Sequence, residues 1–588
     1  MSFSYTKKTD ITTQGKNSEG VKIVNGARVI INDSNIIENG ENAYGVWAEG
    51  ENTHLMANNV DIELNAQNAT GVKTVNGGRV NIEESFITAN HDNAYGLITE
   101  GDKTNLRAND LEIEINGHNS TGVKALQGGA GIIENSGIIG HGNAFVGLSA
   151  AHEKTHLTGK NLNIEVQNGP KGTGVAAANG ASIDVENGTI IGTGKDFIGL
   201  LAADQKTNLE VNQMSIQANA EDSQGVIAEN GAKVTVENSS IIGNWENFDG
   251  LRSRGENANL TANNTKIELH RENSRGVNVE NGATVNIQKG SQITTRGPSS
   301  PAIQLAQKGS LNVSDSAIKT LGKNSATFYV APGSSDQKSV VEMTGGSLEA
   351  SGDLISSQGG TMDVVLNKVS VSSPGSGYLV NVLNSDSGHS GEVNLSVLNP
   401  IGERDPAKTL RGNILTAEGS KANVSLKGST LIGWAQATHF SLDPASTWSV
   451  TTGVSRLKEL NNEGRVEFQP PSATSLHPMG APVYTTLSLG SLSGTGMFWM
   501  NTDIAGHQGD FLNVTGKAKG DFGVMVADSG NSPTAEDSLK IIQTGGGDAR
   551  FTLANEGGVV DVGTYQYYLV PDDSHQVPDD SHRVLDDR

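Results

Sequence analysis

A Gly-Val dipeptide returns at Gly20, Gly71, Gly122, Gly174, Gly225 and Gly276, at intervals of 51, 51, 52, 51 and 51 residues. Five residues after each glycine stands a turn dipeptide: Asn25-Gly26, Asn76-Gly77, Gln127-Gly128, Asn179-Gly180, Asn230-Gly231 and Asn281-Gly282. A second series, Gly45, Gly96, Gly147, Gly199 and Gly250, falls midway, each glycine followed by Val or Leu. The 51-residue unit is therefore two similar half-units of about 25 residues. Self-similarity at such a period restricts a chain to stacked repeats, in which no unit buries its apolar face alone.

Within the half-units the hydrophobic period is two. Val29/Ile31, Val80/Ile82, Ile183/Val185, Val234/Val236 and Val285/Ile287 alternate with polar residues, as do Val60/Ile62/Leu64, Leu111/Ile113/Ile115 and Leu162/Ile164/Val166. β-Branched residues alternating between Asn, Gly and Asp turns read as short half-buried strands, and no helical period is sustained. The combination specifies an all-β chain, a right-handed parallel β-helix in which each coil lays its strands over those of the coil before. Equivalent residues then stack into aliphatic ladders. Asn58, Asn109, Asn212 and Asn263, which share one repeat position, are placed for amide ladders at a turn. The solenoid is expected over residues 1–430, clearest over 17–300.

From about Leu431 the composition changes. Trp434, Trp448 and Trp499, three of the five tryptophans, fall before residue 500 among Phe440, Phe468, Phe498 and Phe511. An open solenoid end is an unpaired sheet edge that must be covered, and an aromatic closing segment over 431–570 is suited to it. Four ordered motifs in this region resemble the passenger domain of pertactin-like autotransporters, the type V secreted proteins of Gram-negative bacteria. They are Leu457-Lys-Glu-Leu-Asn-Asn-Glu-Gly464-Arg-Val-Glu-Phe468, Leu492-Ser-Gly-Thr-Gly-Met-Phe498-Trp-Met-Asn501, Gly509-Asp-Phe-Leu-Asn-Val514, and Phe551-Thr-Leu-Ala-Asn555 with Val562-Gly563-Thr564-Tyr565. The resemblance implies that 431–570 caps the β-helix and promotes its folding after export (an autochaperone). It implies that an outer-membrane translocator barrel, with no strands in this sequence, is the chain's export partner. Residues 571–588, with the tandem Val570-Pro-Asp-Asp-Ser-His575 and Val577-Pro-Asp-Asp-Ser-His582, then read as a disordered linker.

Charge and cysteine content narrow the function. The formal net charge of −23 argues against nucleic acid as a partner. Zero cysteines removes disulfides, thiolate metal sites and cysteine nucleophiles; with the resemblance, it suits a passenger that crosses an oxidising periplasm unfolded. No signal-peptide-like stretch follows Met1, and no apolar run is long enough for a spanning helix.

The chemistry-bearing look-alikes read as structure. Ala527-Asp-Ser529-Gly-Asn-Ser-Pro533 echoes a Gly-Asp-Ser-Gly nucleophile loop without its first glycine, and is expected to be a hairpin turn between Gly523–Val526 and Leu539–Ile542. Gly140-His141-Gly142 and Asn501-Thr-Asp503 are tripeptides of β-helix polygalacturonases, here in reverse order and far apart. Glu63 and Glu114 share a repeat position and imitate a stacked carboxylate pair. His54 and His156 share another, but about four coils apart, too far to share a metal. Arg254-Gly255-Glu256 is one methylene away from an Arg-Gly-Asp. No catalytic, cofactor or metal residue is assigned.

The expectation is a non-enzymatic passenger on the bacterial surface or secreted, an adhesin or virulence factor contacting host cells or matrix through its loops. Self-association is a lesser possibility. The alternatives carried are a membrane-active or co-haemolytic passenger and a β-helix enzyme acting on polysaccharide.

Overall fold

The computed structural model describes residues 3–333, 337–372, 374–398, 409–471, 482–534, 538–571 and 582–586. The chain divides into two compact units, Met1–Ser325 and Ala326–Arg588. Each is built from parallel strands in stacked coils, and the one helical element among the described residues is the 3-10 turn Glu556–Gly558.

A coil of the first unit has three faces. Strand Glu19–Val24 forms the first face, and Asn25-Gly26, both with positive φ, turns the chain. Strand Arg28–Glu38 follows, and its central Asp33 sits at φ 50°, which bends it into a second face (28–32) and a third face (34–38). Asn42 at φ 55° makes the third corner, and Tyr44 then pairs in register above Glu19. The same central bend recurs at Asn59, Glu84 and Asp110. Asparagine, over-represented here, tolerates this left-handed backbone better than most residues.

The two sets of alternating residues in the sequence are therefore two faces of every coil, one set conspicuous in each alternate coil. Their alternation explains why the period is 51 rather than 25. In one coil the corner between the second and third faces is filled from the second face, by Ile31, Ile82 or Ile133, with Ser34, Ser85 or Ser136 opposite. In the next it is filled from the third face, by Val60, Leu111 or Leu162, with Ala57, Ala108 or Gly159 opposite. A Cβ on Gly159 would stand 2.6 Å from Leu162 Cδ1, so the large residue occupies what the small one vacates. The serines also serve the backbone. Ser85 Oγ accepts from Val60 N at 3.0 Å and Ser136 Oγ from Leu111 N at 3.1 Å, where each N–H has left the strand ladder at the bend.

Both glycine series form one column on the inner edge of the first face. A Cβ at Gly96 would lie 2.5 Å from the Gly122 carbonyl oxygen and 2.7 Å from Ile113 Cγ2, leaving no room for any side chain. Gly140, Gly192 and Gly243 serve differently: each makes way for a buried ring, Phe145, Phe197 or Phe248.

Amide ladders form, although not among the four equivalents named from the sequence. Asn135 donates to Asn109 at 2.8 Å, Asn161 to Asn135 at 2.7 Å and Asn187 to Asn161 at 2.7 Å. Asn212 accepts from Asn238 at 2.9 Å, while Asn263 donates to Glu237 at 2.7 Å. Stacking joins each residue to the adjacent coil, so Asn109 and Asn212 meet that coil's corner asparagine and Asn263 a glutamate, rather than the same position of the 51-residue repeat.

In the second unit the coils shorten, and Leu431 stacks in register on Trp448 and Trp448 on Val466. Trp448 is fully buried, stacks on Phe440 at 4.7 Å between centroids and donates Nε1–H to Gly433 O at 3.0 Å. Phe498, Phe522 and Phe551 continue the aromatic interior at 5.6 and 5.4 Å. The parallel pattern then stops. Val560–Val562 runs antiparallel to Tyr565–Pro571, and His582–Asp586 runs antiparallel to both Tyr565–Pro571 and Ser538–Thr544. The linker expected over 571–588 lies mostly outside the described residues, but His582–Asp586 is strand: it carries Val584-Leu585 and is free of the Pro-Asp-Asp turn residues before it.

Candidate functional site

The outer side of the first face carries the residues least suited to a plain solvated strand. Column positions rise through Glu19, Tyr44, Thr70, Tyr95 and Thr121, and beside them Lys22, Trp47, Lys73, Ile98 and Lys124. Tyr44 and Trp47 meet edge to face at 4.6 Å. Lys22 and Lys73 lie over the Trp47 ring at 5.6 and 4.9 Å, and Lys124 lies over Tyr95 at 5.0 Å. Glutamates hold the frame: Lys22 pairs with Glu19 at 2.8 Å, Lys73 with Glu100 at 3.4 Å, and Trp47 Nε1 donates to Glu49 at 3.2 Å. The result is a platform of half-exposed rings alternating with ammonium groups, locally near neutral. The sequence reading assigned the scarce aromatics to the closing segment and missed this group. The signal was there, since Tyr44, Trp47 and Tyr95 occupy outward positions of the period-two pattern, where polar residues are the rule.

The look-alikes are structural where the chain places them. Ser529 donates to Asp503 Oδ1 at 2.8 Å, and Asp528 accepts from Thr502 Oγ1 at 2.8 Å and Ile504 N at 3.0 Å. The expected hairpin there is a coil corner instead. Ala518–Asp528 pairs with Met497–Asp503 and Arg550–Leu553, while Ser538–Thr544 pairs with Phe511–Val514. Solenoid strands bond to the next coil, not to their neighbour in sequence. Asn501 is spent on Phe468 O at 3.0 Å and Asp510 Oδ2 at 2.8 Å. Asp510 is buried and its carboxyl is pushed above the ordinary value by burial, against the opposing hydrogen bonds from Thr485 N and Asn501. Gly140 and Gly142 are demanded by packing on Phe145 and the Gly117 carbonyl, and His141 Nε2 faces Glu114 at 3.4 Å.

Glu63 and Glu114 are separated by a coil that presents Thr88 between them. His54 and His156 are separated by Arg79, Asn105 and Ala130 in the same register. Arg254 is engaged by Glu229 at 2.6 Å. His575 lies outside the described residues. Among the described residues no three His, Cys, Asp or Glu side chains are placed to hold a metal ion.

A carboxylate pair that the sequence reading did not name does occur on the second face, where Asp184 and Glu210 stand in register on adjacent coils. Burial raises the Asp184 carboxyl above its ordinary value, the His156 ring at 3.6 Å opposes the rise, and Glu210 adds to it. In the second unit a cleft of about 930 Å³ is bordered by Arg456, Lys458 and Asn513 but by one carboxylate, Glu418.

Comparison with known proteins agrees with this architecture. Residues 456–577 match the Pertactin family model. The chain is 38% identical over 172 residues to the autotransporter adhesin/invasin TibA of Escherichia coli O78:H11, covering 29% of this chain and 15% of TibA. It is 27% identical over 441 residues to the BrkA autotransporter of Bordetella pertussis, covering 69% of this chain and 41% of BrkA. It is 29% identical over 167 residues to the immunoglobulin A1 protease autotransporter of Haemophilus influenzae, covering 28% of this chain and 9% of that protein. The chain thus spans less than half the length of these relatives, which include both an adhesin and a protease. Residues 456–577 thus carry a Pertactin-type segment at the end of the stacked parallel coils, and stretches of the chain are similar to autotransporters of three Gram-negative genera.

Proposed function

We propose that this passenger is a non-enzymatic adhesin that contacts host cells or matrix, and that the ring-and-lysine platform of its first coils is part of the contact surface. The observation that carries the reading is the outward clustering of Tyr44, Trp47 and Tyr95 in a chain with 4% aromatic residues. Rings with a polar end, fixed by neighbours, give contact area at little entropic cost and dominate protein recognition surfaces. The adhesin name of TibA supports the reading as well. Against catalysis stand the structural hydrogen bonds that engage Ser529, Asn501 and Asp510. Residues 431–570 have, in this reading, the cap and folding-promoter role.

The test is binding of purified protein to epithelial cells and matrix-coated surfaces. Trp47→Ala combined with Tyr95→Ala is expected to weaken binding about tenfold or more, since ring anchors of this kind are worth ~2 kcal/mol or above. Unchanged binding removes the platform from the contact. Lysis of erythrocytes, or release of reducing ends from polysaccharide, would turn the assignment to one of the other two classes.

A further inference from the structure

The second face of the same coils carries a column of basic residues. Arg28, His54 and Arg79 stand in direct register on three consecutive coils, each strand spacing about 4.8 Å. Arg28 and Arg79 are exposed, and among the described residues no carboxylate lies within ion-pair distance of either. The charges acting on His54 are those of Arg28 and Arg79; with burial, which is the larger cause, they hold its imidazole below the ordinary value. Beside this column a depression of about 480 Å³ is lined by His54, Arg79, Lys103, Asn105 and Arg107. Lys103 and Arg107 are neutralised by Glu51 at 2.7 Å and Glu134 at 2.9 Å, leaving Arg28 and Arg79 as the uncompensated pair. A chain with net charge −23 has ample carboxylates to pair every cation, yet this column has none.

We infer that the column of Arg28 and Arg79, with the depression beside His54 and Arg79, forms a groove that binds a linear anionic polysaccharide, its sulfate or carboxylate groups meeting alternate coils. Two coil repeats, roughly 10 Å by the strand spacing, separate Arg28 from Arg79, so a polymer laid parallel to the coil axis meets both with charged groups of one chain. Planar guanidinium groups suit two-point bonding to sulfate and carboxylate oxygens. Asn105 supplies a neutral amide at the next position of the column. This rests on the adhesin reading and names the ligand class for it.

The experiment measures binding of the full chain to immobilised heparin, with chemically desulfated heparin, single-stranded DNA of similar charge density and host cells in parallel. Capture by heparin, loss on desulfation and a fall of about tenfold or more in Arg28→Ser/Arg79→Ser are expected. Lys233→Ser, an exposed lysine in the same column further along the unit, should bind as the parent does. An unaffected double variant overturns the inference, as does equal capture by DNA, which would reduce the groove to indiscriminate charge. Sedimentation provides a further check: a dimer abolished by the same double variant would assign the column to a second copy of the chain. Cells that still bind the protein after enzymatic removal of their sulfated glycans would overturn the groove while leaving the adhesin reading intact. Failure to bind any cell while heparin is captured would do the reverse.

Discussion

Ala108 and Leu111 show how much a single coil specifies. The corner between the second and third faces has room for one large side chain, supplied from one wall in odd coils and from the other in even coils. Ala108→Ile adds bulk where Leu111 already fills the corner, and overpacking of this kind costs about 1–3 kcal/mol. Adding Leu111→Ser recreates the Ile82/Ser85 arrangement of the coil before, including an acceptor in the position of Ser85 Oγ. Denaturant titration of the two single variants and the double variant is expected to show recovery of most of the loss, since contacting residues are not additive. A double variant as unstable as the sum of its parts would mean that the corners are independent. The exchange was not legible in the sequence, because Ser34, Ser85 and Ser136 read as polar strand residues rather than as core positions with a backbone duty.

At the scale of the element, strands were legible and corners were not. The 51-residue repeat, its halving and the parallel stacking follow from glycine spacing and the period-two pattern. The bend at Asp33, Asn59 and Glu84 was hidden, because the one-residue slip of the inward pattern there falls beside small or polar inward residues such as Ser34, Ala57 and Ser85, so each 11-residue run shows only one of its two apolar sets. The aromatic content of 431–500 marked the change to an aromatic interior, whereas the antiparallel strands after Val560 carry no repeat to read. That segment offers its own test. Phe440 and Leu442 stack directly on Val424 and Leu426 of the coil before. Deleting residues 431–571 would therefore leave the edge at Lys421–Lys427 unpaired and the apolar ladder open. Limited proteolysis is expected to cut the preceding coils at protease concentrations that leave the full chain intact. Undiminished resistance would rule out a capping role.

For the whole molecule, the repeats account for the glycines, but the charge of −23 acquires a consequence only beside the Arg28 and Arg79 column. A polyanion approaching the groove meets two fields of opposite sign. Contact with Arg28 and Arg79 is attractive over a few ångströms, while the carboxylates of the remaining chain repel it from further away. Salt separates them by range: the screening length is about 30 Å at 0.01 M ionic strength and about 8 Å at 0.15 M. Raising salt from the lowest value should first remove the long-range repulsion and leave the contact largely intact. Only at higher salt should the contact itself weaken. Heparin affinity is accordingly expected to pass through a maximum at intermediate ionic strength, with the association rate rising on the low-salt side. A uniformly basic protein shows a steady decline instead. The Arg28→Ser/Arg79→Ser variant, having lost the attraction, should retain no maximum. A monotonic fall in parent affinity from 0.01 M upward would mean that the groove does not work against the field of the chain that carries it.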